Sequence, residues 1–200
     1  MKLVIIDPGH GGRDSGACAN NLKEASLVRS IVVKIIDKLA SENHLLAKTS
    51  FCLAGKSCLT DTWGINNRKA FLRQYNHNNS QKIDYLVSIH LNAYAKALPC
   101  GLVVCYNGNL EDARVMYDSM IFYAKETPYF KEKGYFLAGN REQKLQERKN
   151  LAILNTTISS LLVEAGFITN PNEQKILKSE EGQQIIAYAI VDGIYNLLER

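Results

Sequence analysis

Four residues far apart in the chain are of types that can hold a metal and move a proton: His10, Glu24, His90 and Glu164. His10 follows the apolar run Leu3–Ile6, His90 follows Leu86–Ile89, and Glu164 closes Leu161-Leu162-Val163, so three of them fall at the carboxyl ends of expected strands. In an open parallel sheet that edge is where ligands gather. Glu24 opens the first expected helix after a loop leaving the same edge. Two histidines and a carboxylate make a catalytic zinc set with a fourth position for water. A second carboxylate off the metal would then transfer protons. His10, Glu24 and His90 suit the first role and Glu164 the second. A plainer reading stands beside this one. Isolated histidines commonly cap or hydrogen-bond, and a glutamate at a helix start complements the dipole. Residue types and spacing leave both open.

The elements that must position these groups are readable in outline. Lys2–Ile6 is apolar, β-branched and cut off by Asp7-Pro8-Gly9, the pattern of a buried strand entering a loop. Leu27, Ile31, Ile35 and Leu39 recur every fourth position, which predicts a helix starting near Glu24. His44–Thr49 predicts a second strand. Asp61 or Thr62 is expected to cap a helix from about Gly64 to Tyr75. Tyr85–Ile89 predicts another buried strand, with Leu102–Tyr106 as its expected neighbour. A helix is expected over Glu111–Glu126, late strands at Leu151–Leu154 and Ser160–Glu164, and two short helices after Thr169-Asn170-Pro171-Asn172. Residues 127–147 show no clean period and are expected to form a loop over the site. Strands alternating with helices imply an α/β class: a single domain with a mostly parallel, twisted central sheet and helices on both faces.

The chain has 200 residues, enough for one domain spanning 1–200. Its 24 basic and 20 acidic residues give a net charge of +4 without the clustering of a nucleic-acid binder, so no nucleic-acid partner is expected. The opening MKLVIIDPGHGG has too short an apolar run for a signal peptide. No stretch is long enough to span a bilayer, so membrane insertion is not expected and synthesis is expected in the cytoplasm. Five cysteines without a C-x-x-C pair are expected to be free thiols. The glycine-rich turn after the first strand matches neither phosphate-loop pattern, and no H-E-x-x-H is present.

Taken in order, Ile6-Asp7-Pro8-Gly9-His10-Gly11-Gly12 with Asp14 and Gly16, then Glu24, then Ser88-Ile89-His90-Leu91-Asn92-Ala93, then Leu162–Asn170 resemble the zinc-dependent N-acetylmuramoyl-L-alanine amidases of cell-wall hydrolases, spore lysins and phage endolysins. The resemblance runs from Leu3 to the last helix; Ala165 stands where an aliphatic residue is more usual, and residues 127–147 carry no alignable motif. It implies zinc ligands His10, Glu24 and His90, a catalytic Glu164, and peptidoglycan as substrate. The role implied is cell lysis, as for an endolysin, or wall remodelling, as for an autolysin. Asp14 and Asn92 are candidates to orient ligands or hold the loop. Arg68 is a candidate for a substrate carboxylate, with a salt-bridged arginine as the alternative. Rival functions are a zinc peptidase or carboxypeptidase on stem peptides, and a non-catalytic wall-binding module. A monomer is the default expectation.

Overall fold

Every residue of β1 (Lys2–Pro8) after Lys2 is buried, because its two faces serve two separate cores. Val4 and Ile6 point into one apolar cluster and Leu3 and Ile5 into the other. A strand apolar on both faces must lie inside a covered sheet. The computed structural model describes residues 2–41, 45–49, 64–94, 101–128, 130 and 144–200.

In chain order, β1 is followed by a small antiparallel pair, β2 (Cys18–Ala19) and β3 (Leu22–Lys23), and then α1 (Glu24–Ala40). Next come β4 (Leu45–Thr49), α2 (Ile65–Asn78), β5 (Tyr85–Asn92), β6 (Val103–Tyr106) and α3 (Leu110–Glu126). The chain ends with β7 (Leu145–Glu147), a 3-10 turn (Ala152–Leu154), β8 (Ser159–Phe167), α4 (Pro171–Lys178) and α5 (Glu180–Leu198). The six-stranded sheet has the order β4-β1-β5-β8-β6-β7. β4, β1, β5 and β8 are mutually parallel, whereas β6 runs antiparallel to β8 and carries β7 parallel to itself. The sheet is therefore mostly parallel, as expected.

Helices cover both faces. The larger core joins Val4, Ile6, Val87, Ile89 and Val163 to Val28, Ile31 and Ile35 of α1, Met116 and Met120 of α3, and Ile186 and Ile190 of α5. The smaller core packs Leu3, Ile5, Leu86 and Leu162 against Leu72 of α2 and Ile153 and Leu154 of the 3-10 turn.

Several local expectations need correction. Leu102–Tyr106 is not the neighbour of β5: β8 enters between them, and β6 pairs with its far edge. Leu151–Leu154 is not a strand, because Leu154 N bonds to Leu151 O and Asn155 N to Ala152 O, closing a tight turn. The last helix is long, at 19 residues, with Ile186, Ile190, Ile194 and Leu197 forming its buried stripe. Part of the 127–147 segment is strand β7, and residues 131–143 lie outside the described residues. Asp61 and Thr62 also lie outside them; the residue preceding α2 is Gly64, whose carbonyl accepts from Asn67 N and Arg68 N. Cys18 and Cys105 are free thiols, and Cys52, Cys58 and Cys100 fall outside the described residues.

Candidate active site

Strand alternation explains why four polar side chains share one end of one face. Along β1, Asp7 follows Leu3 and Ile5 on the α2 side of the sheet. Along β5, Ser88 and His90 follow Leu86 on that side, and along β8, Glu164 follows Leu162. Parallel pairing then sets His90 opposite Glu164 on adjacent strands, about 4.8 Å apart at the backbone. Just beyond this pair β8 carries an extra residue before Phe167 regains register with Asn92; Gly166 adopts φ 139° there, as a bulge requires.

His10 enters from the turn after β1. Its own φ is 59°, a left-handed backbone that swings the imidazole back over the strand ends. Gly9 must lack a side chain, since a Cβ there would stand 2.5 Å from the His90 ring. Gly16 is similarly confined: its φ is 64° and a Cβ would lie 2.6 Å from both Glu24 Oε2 and the His10 ring. Glu24, 3% exposed, is delivered by the first residue of α1.

The three side chains converge on one carboxylate oxygen. His10 Nε2 lies 3.2 Å and His90 Nδ1 3.1 Å from Glu24 Oε1, and the two rings meet edge-on with centroids 4.8 Å apart. Backbone amides fix the carboxylate, Leu91 N donating to Oε1 and Ala17 N to Oε2, each at 2.9 Å. His10 is oriented from behind: its Nδ1 is 2.9 Å from Asp14 Oδ2, and Asp14 Oδ1 accepts from Gly16 N. A carboxylate behind a histidine fixes which ring nitrogen faces the site, as metal-binding histidines usually require. Donor atoms around a tetrahedral zinc at roughly 2.0–2.2 Å stand about 3.3 Å apart. The donor types fit such an ion, with both imidazoles 3.1–3.2 Å from Glu24 Oε1 and the three donor atoms within 4.8 Å of one another.

Electrostatics follow from this crowding. Hydrogen bonding to Glu24 raises His10 to about 9; burial pulls it down, and Asp14 adds to the rise. Burial works to raise Glu24 but is outweighed by bonds from His10, His90, Leu91 and Ala17, which hold its carboxyl well below the usual range. Glu164 is the opposite case. Its Oε2 is buried without a hydrogen-bond partner among the described residues, and burial pushes it up to about 7 against the pull of His90. One carboxylate is thus locked ionised while another is poised to gain or lose a proton near neutrality.

A cavity of about 220 Å³ opens beside the cluster, lined by Asp7, His10, Asp14, Arg68 and His90 together with the apolar Ile65, Leu151, Ile153 and Leu162. Arg68 does not reach out for a ligand. It is 6% exposed, and its Nη1 donates to both oxygens of Asp7, at 2.9 and 3.0 Å, and to Pro8 O at 2.9 Å. The salt-bridged alternative is the one adopted. Asn92 holds the loop, its Oδ1 accepting from Ala93 N.

Residues 4–196 match the family model described as N-acetylmuramoyl-L-alanine amidase. The chain belongs to this amidase family. Among relatives, the germination-specific N-acetylmuramoyl-L-alanine amidase of Bacillus subtilis (strain 168) is 28% identical over 207 residues, covering 96% of this chain and 78% of the relative. The endolysin of Bacillus phage SPP1 is 30% identical, covering 98% of this chain and 66% of its own length. For the probable cell wall amidase LytH of Staphylococcus aureus the matched part is only 57% of the relative, so this chain corresponds to part of a longer protein in that comparison. The fold agrees with solved amidases. The catalytic domain of CwlV from Bacillus (Paenibacillus) polymyxa superposes with a TM-score of 0.79 at 22% identity, over 100% of this chain and 99% of that one. The amidase of Clostridium difficile 630 does so at 0.78 and 25% identity, over 99% and 97%.

Two contributors to the amidase site escaped the sequence reading. Asp7, 1% exposed, ties α2 to the strand ends through Arg68 and also accepts from Ser88 Oγ at 2.9 Å. Arg29 donates to the carbonyls of Gly9 and His10, steadying the turn that carries the first histidine. Each had a signal: an acid at the end of a fully apolar strand, and a cation within the apolar stripe of α1.

Proposed function

We propose that the chain hydrolyses the amide between N-acetylmuramic acid and L-alanine in peptidoglycan, with zinc held by His10, Glu24 and His90 and with Glu164 as the proton carrier. The observation that carries this reading is the convergence of both imidazoles on Glu24 Oε1 beside a second, buried carboxyl in the adjoining strand. A bound zinc ion supplies Lewis acidity, making water more acidic and the scissile carbonyl more electrophilic.

The chain's own groups do the rest. Glu164, as carboxylate, accepts a proton from the attacking water as the carbon–oxygen bond forms. The same carboxyl then gives that proton to the alanine nitrogen as the carbon–nitrogen bond breaks. In the metal-free chain burial raises this carboxyl from 4.5 to about 7. Asp14 holds the His10 ring, and the amides of Leu91 and Ala17 hold Glu24, so the donors need little reorganisation. The apolar residues Ile65, Leu151, Ile153 and Leu162 that line the cavity suit the lactyl and alanyl methyl groups.

The protein would act on the bacterial cell wall, in lysis or in remodelling. Incubation of the zinc-loaded chain with purified peptidoglycan tests the reading: new N-terminal L-alanine without new reducing sugar is expected. Release of internal or C-terminal amino acids would indicate a peptidase instead, and binding without any product a wall-binding module.

A further inference from the structure

On the far side of the His10 turn lies a second cavity, of about 330 Å³, whose wall includes Arg13, Ser15, Lys23, Ser26 and Arg29. Among the described residues three cations line it and no acid does. The two acids of this stretch are turned the other way, Asp14 towards His10 Nδ1 and Gly16 N, and Glu24 towards both histidines. Segregation of charge across one short turn leaves a concave, positive surface backed by a negative cluster. Arg13 and Lys23 are exposed on the rim and form no ion pair among the described residues, while Arg29, 8% exposed, forms the floor.

The floor is also built into the site. Arg29 donates to Gly9 O, His10 O and Ala25 O, and a Cβ on Gly11 would collide with its guanidinium, so this residue is held in place by the turn it supports. Gly11 and Arg13 border this cavity and also a third one, of about 270 Å³, that His10, Asp14, Ile65 and Arg68 share with the cavity beside the cluster, so a chain lying across the turn would touch both. Like charges gathered in a concavity repel one another and focus potential, and an anion relieves that repulsion.

We propose that this pocket is a subsite for an oxyanion, either a peptide carboxylate or a phosphodiester, carried by the polymer strand whose amide sits at Glu164. The inference rests on the amidase reading for the identity of that strand, and on the pocket alone for the charge. Binding should be measured by calorimetry in the full chain carrying Glu164→Gln, so that the probe is not consumed. The probes are a soluble disaccharide-peptide with free carboxylates, the same molecule with its carboxylates amidated, and polyglycerol phosphate. Adding Arg13→Glu and Lys23→Glu is expected to weaken the free-carboxylate probe or the polyglycerol phosphate by at least about tenfold, as loss of charge-assisted hydrogen bonds implies. The amidated probe should be unaffected, and the probe that weakens names the source of the oxyanion.

Lys34→Glu with Lys38→Glu makes the same charge change on α1 about 15–20 Å further along the helix and should leave binding unchanged. Equal weakening by that pair, unchanged affinity after reversal at Arg13 and Lys23, or no measurable binding of either anionic probe overturns the proposal. Product analysis on peptidoglycan keeps the two readings apart. Cleavage with unaltered affinities sinks only the subsite, and charge-sensitive binding without new N-terminal L-alanine sinks only the amidase.

Discussion

Replacing Glu164 by glutamine in the zinc-free protein should stabilise the fold, and by an amount that depends on pH. Burial of Oε2 without a partner moves this carboxyl from 4.5 to about 7. A folded-state value above the unfolded one means no penalty below about 4.5, a penalty that grows as pH rises, and a constant penalty once pH exceeds about 7. Its full size is about 3 kcal/mol. Glutamine is neutral at every pH and nearly the same shape, so it removes the penalty and little else. Urea denaturation of metal-free wild type and Glu164→Gln should therefore show the variant ahead by roughly 1 kcal/mol at pH 5 and roughly 3 kcal/mol at pH 8, with equal m-values. An advantage of the same size at both pH values would refute the reasoning, because the carboxyl would then not be desolvated. Turnover should be lost in this variant while zinc stays bound.

Other outcomes follow from the same geometry. His10→Ala and His90→Ala should each abolish stoichiometric zinc by metal analysis, and chelation of the wild type should lower its melting temperature, since the ion binds only the folded arrangement. Glu24 and Asp14 hold His10 protonated up to about 9, so zinc uptake at pH 7.5 should release a proton, detectable with an indicator dye in weak buffer. Gly9→Ala sets a methyl 2.5 Å from the His90 ring and should cost about 1–3 kcal/mol and most of the zinc affinity, checked by melting and metal titration. Arg68→Met leaves the buried Asp7 carboxylate without its guanidinium counter-charge and should destabilise the fold by about 3–5 kcal/mol in urea, with no selective change in the Michaelis constant.

What the sequence revealed here was local, and what it hid was pairing. Three of the four candidate side chains, His10, His90 and Glu164, follow or close an apolar run, and a parallel sheet sends such ends to one edge, while Glu24 opens the first helix after a loop from that edge. The order of strands could not be read, because Val103–Tyr106 is equally apolar beside β5 or beside β8; only packing decided, and it put β8 in the middle. Leu151–Leu154 misled because four apolar residues are too few to separate a strand from a tight turn. The β2–β3 pair was missed since two-residue strands have no period at all. Arg68 and Asp7 are 61 residues apart, and nothing in either neighbourhood announces that they meet.

The left-handed turn at His10 has a consequence for how such a protein can change over time. One residue both reverses the chain and presents the imidazole, so path and donor cannot drift separately. A substitution that relaxes the bend re-aims the nitrogen, and one that keeps the nitrogen must tolerate the bend. Innovation in this scaffold is therefore steered toward the surrounding surfaces, where Ile65, Leu151, Arg13 and Lys23 can vary while the centre stands still.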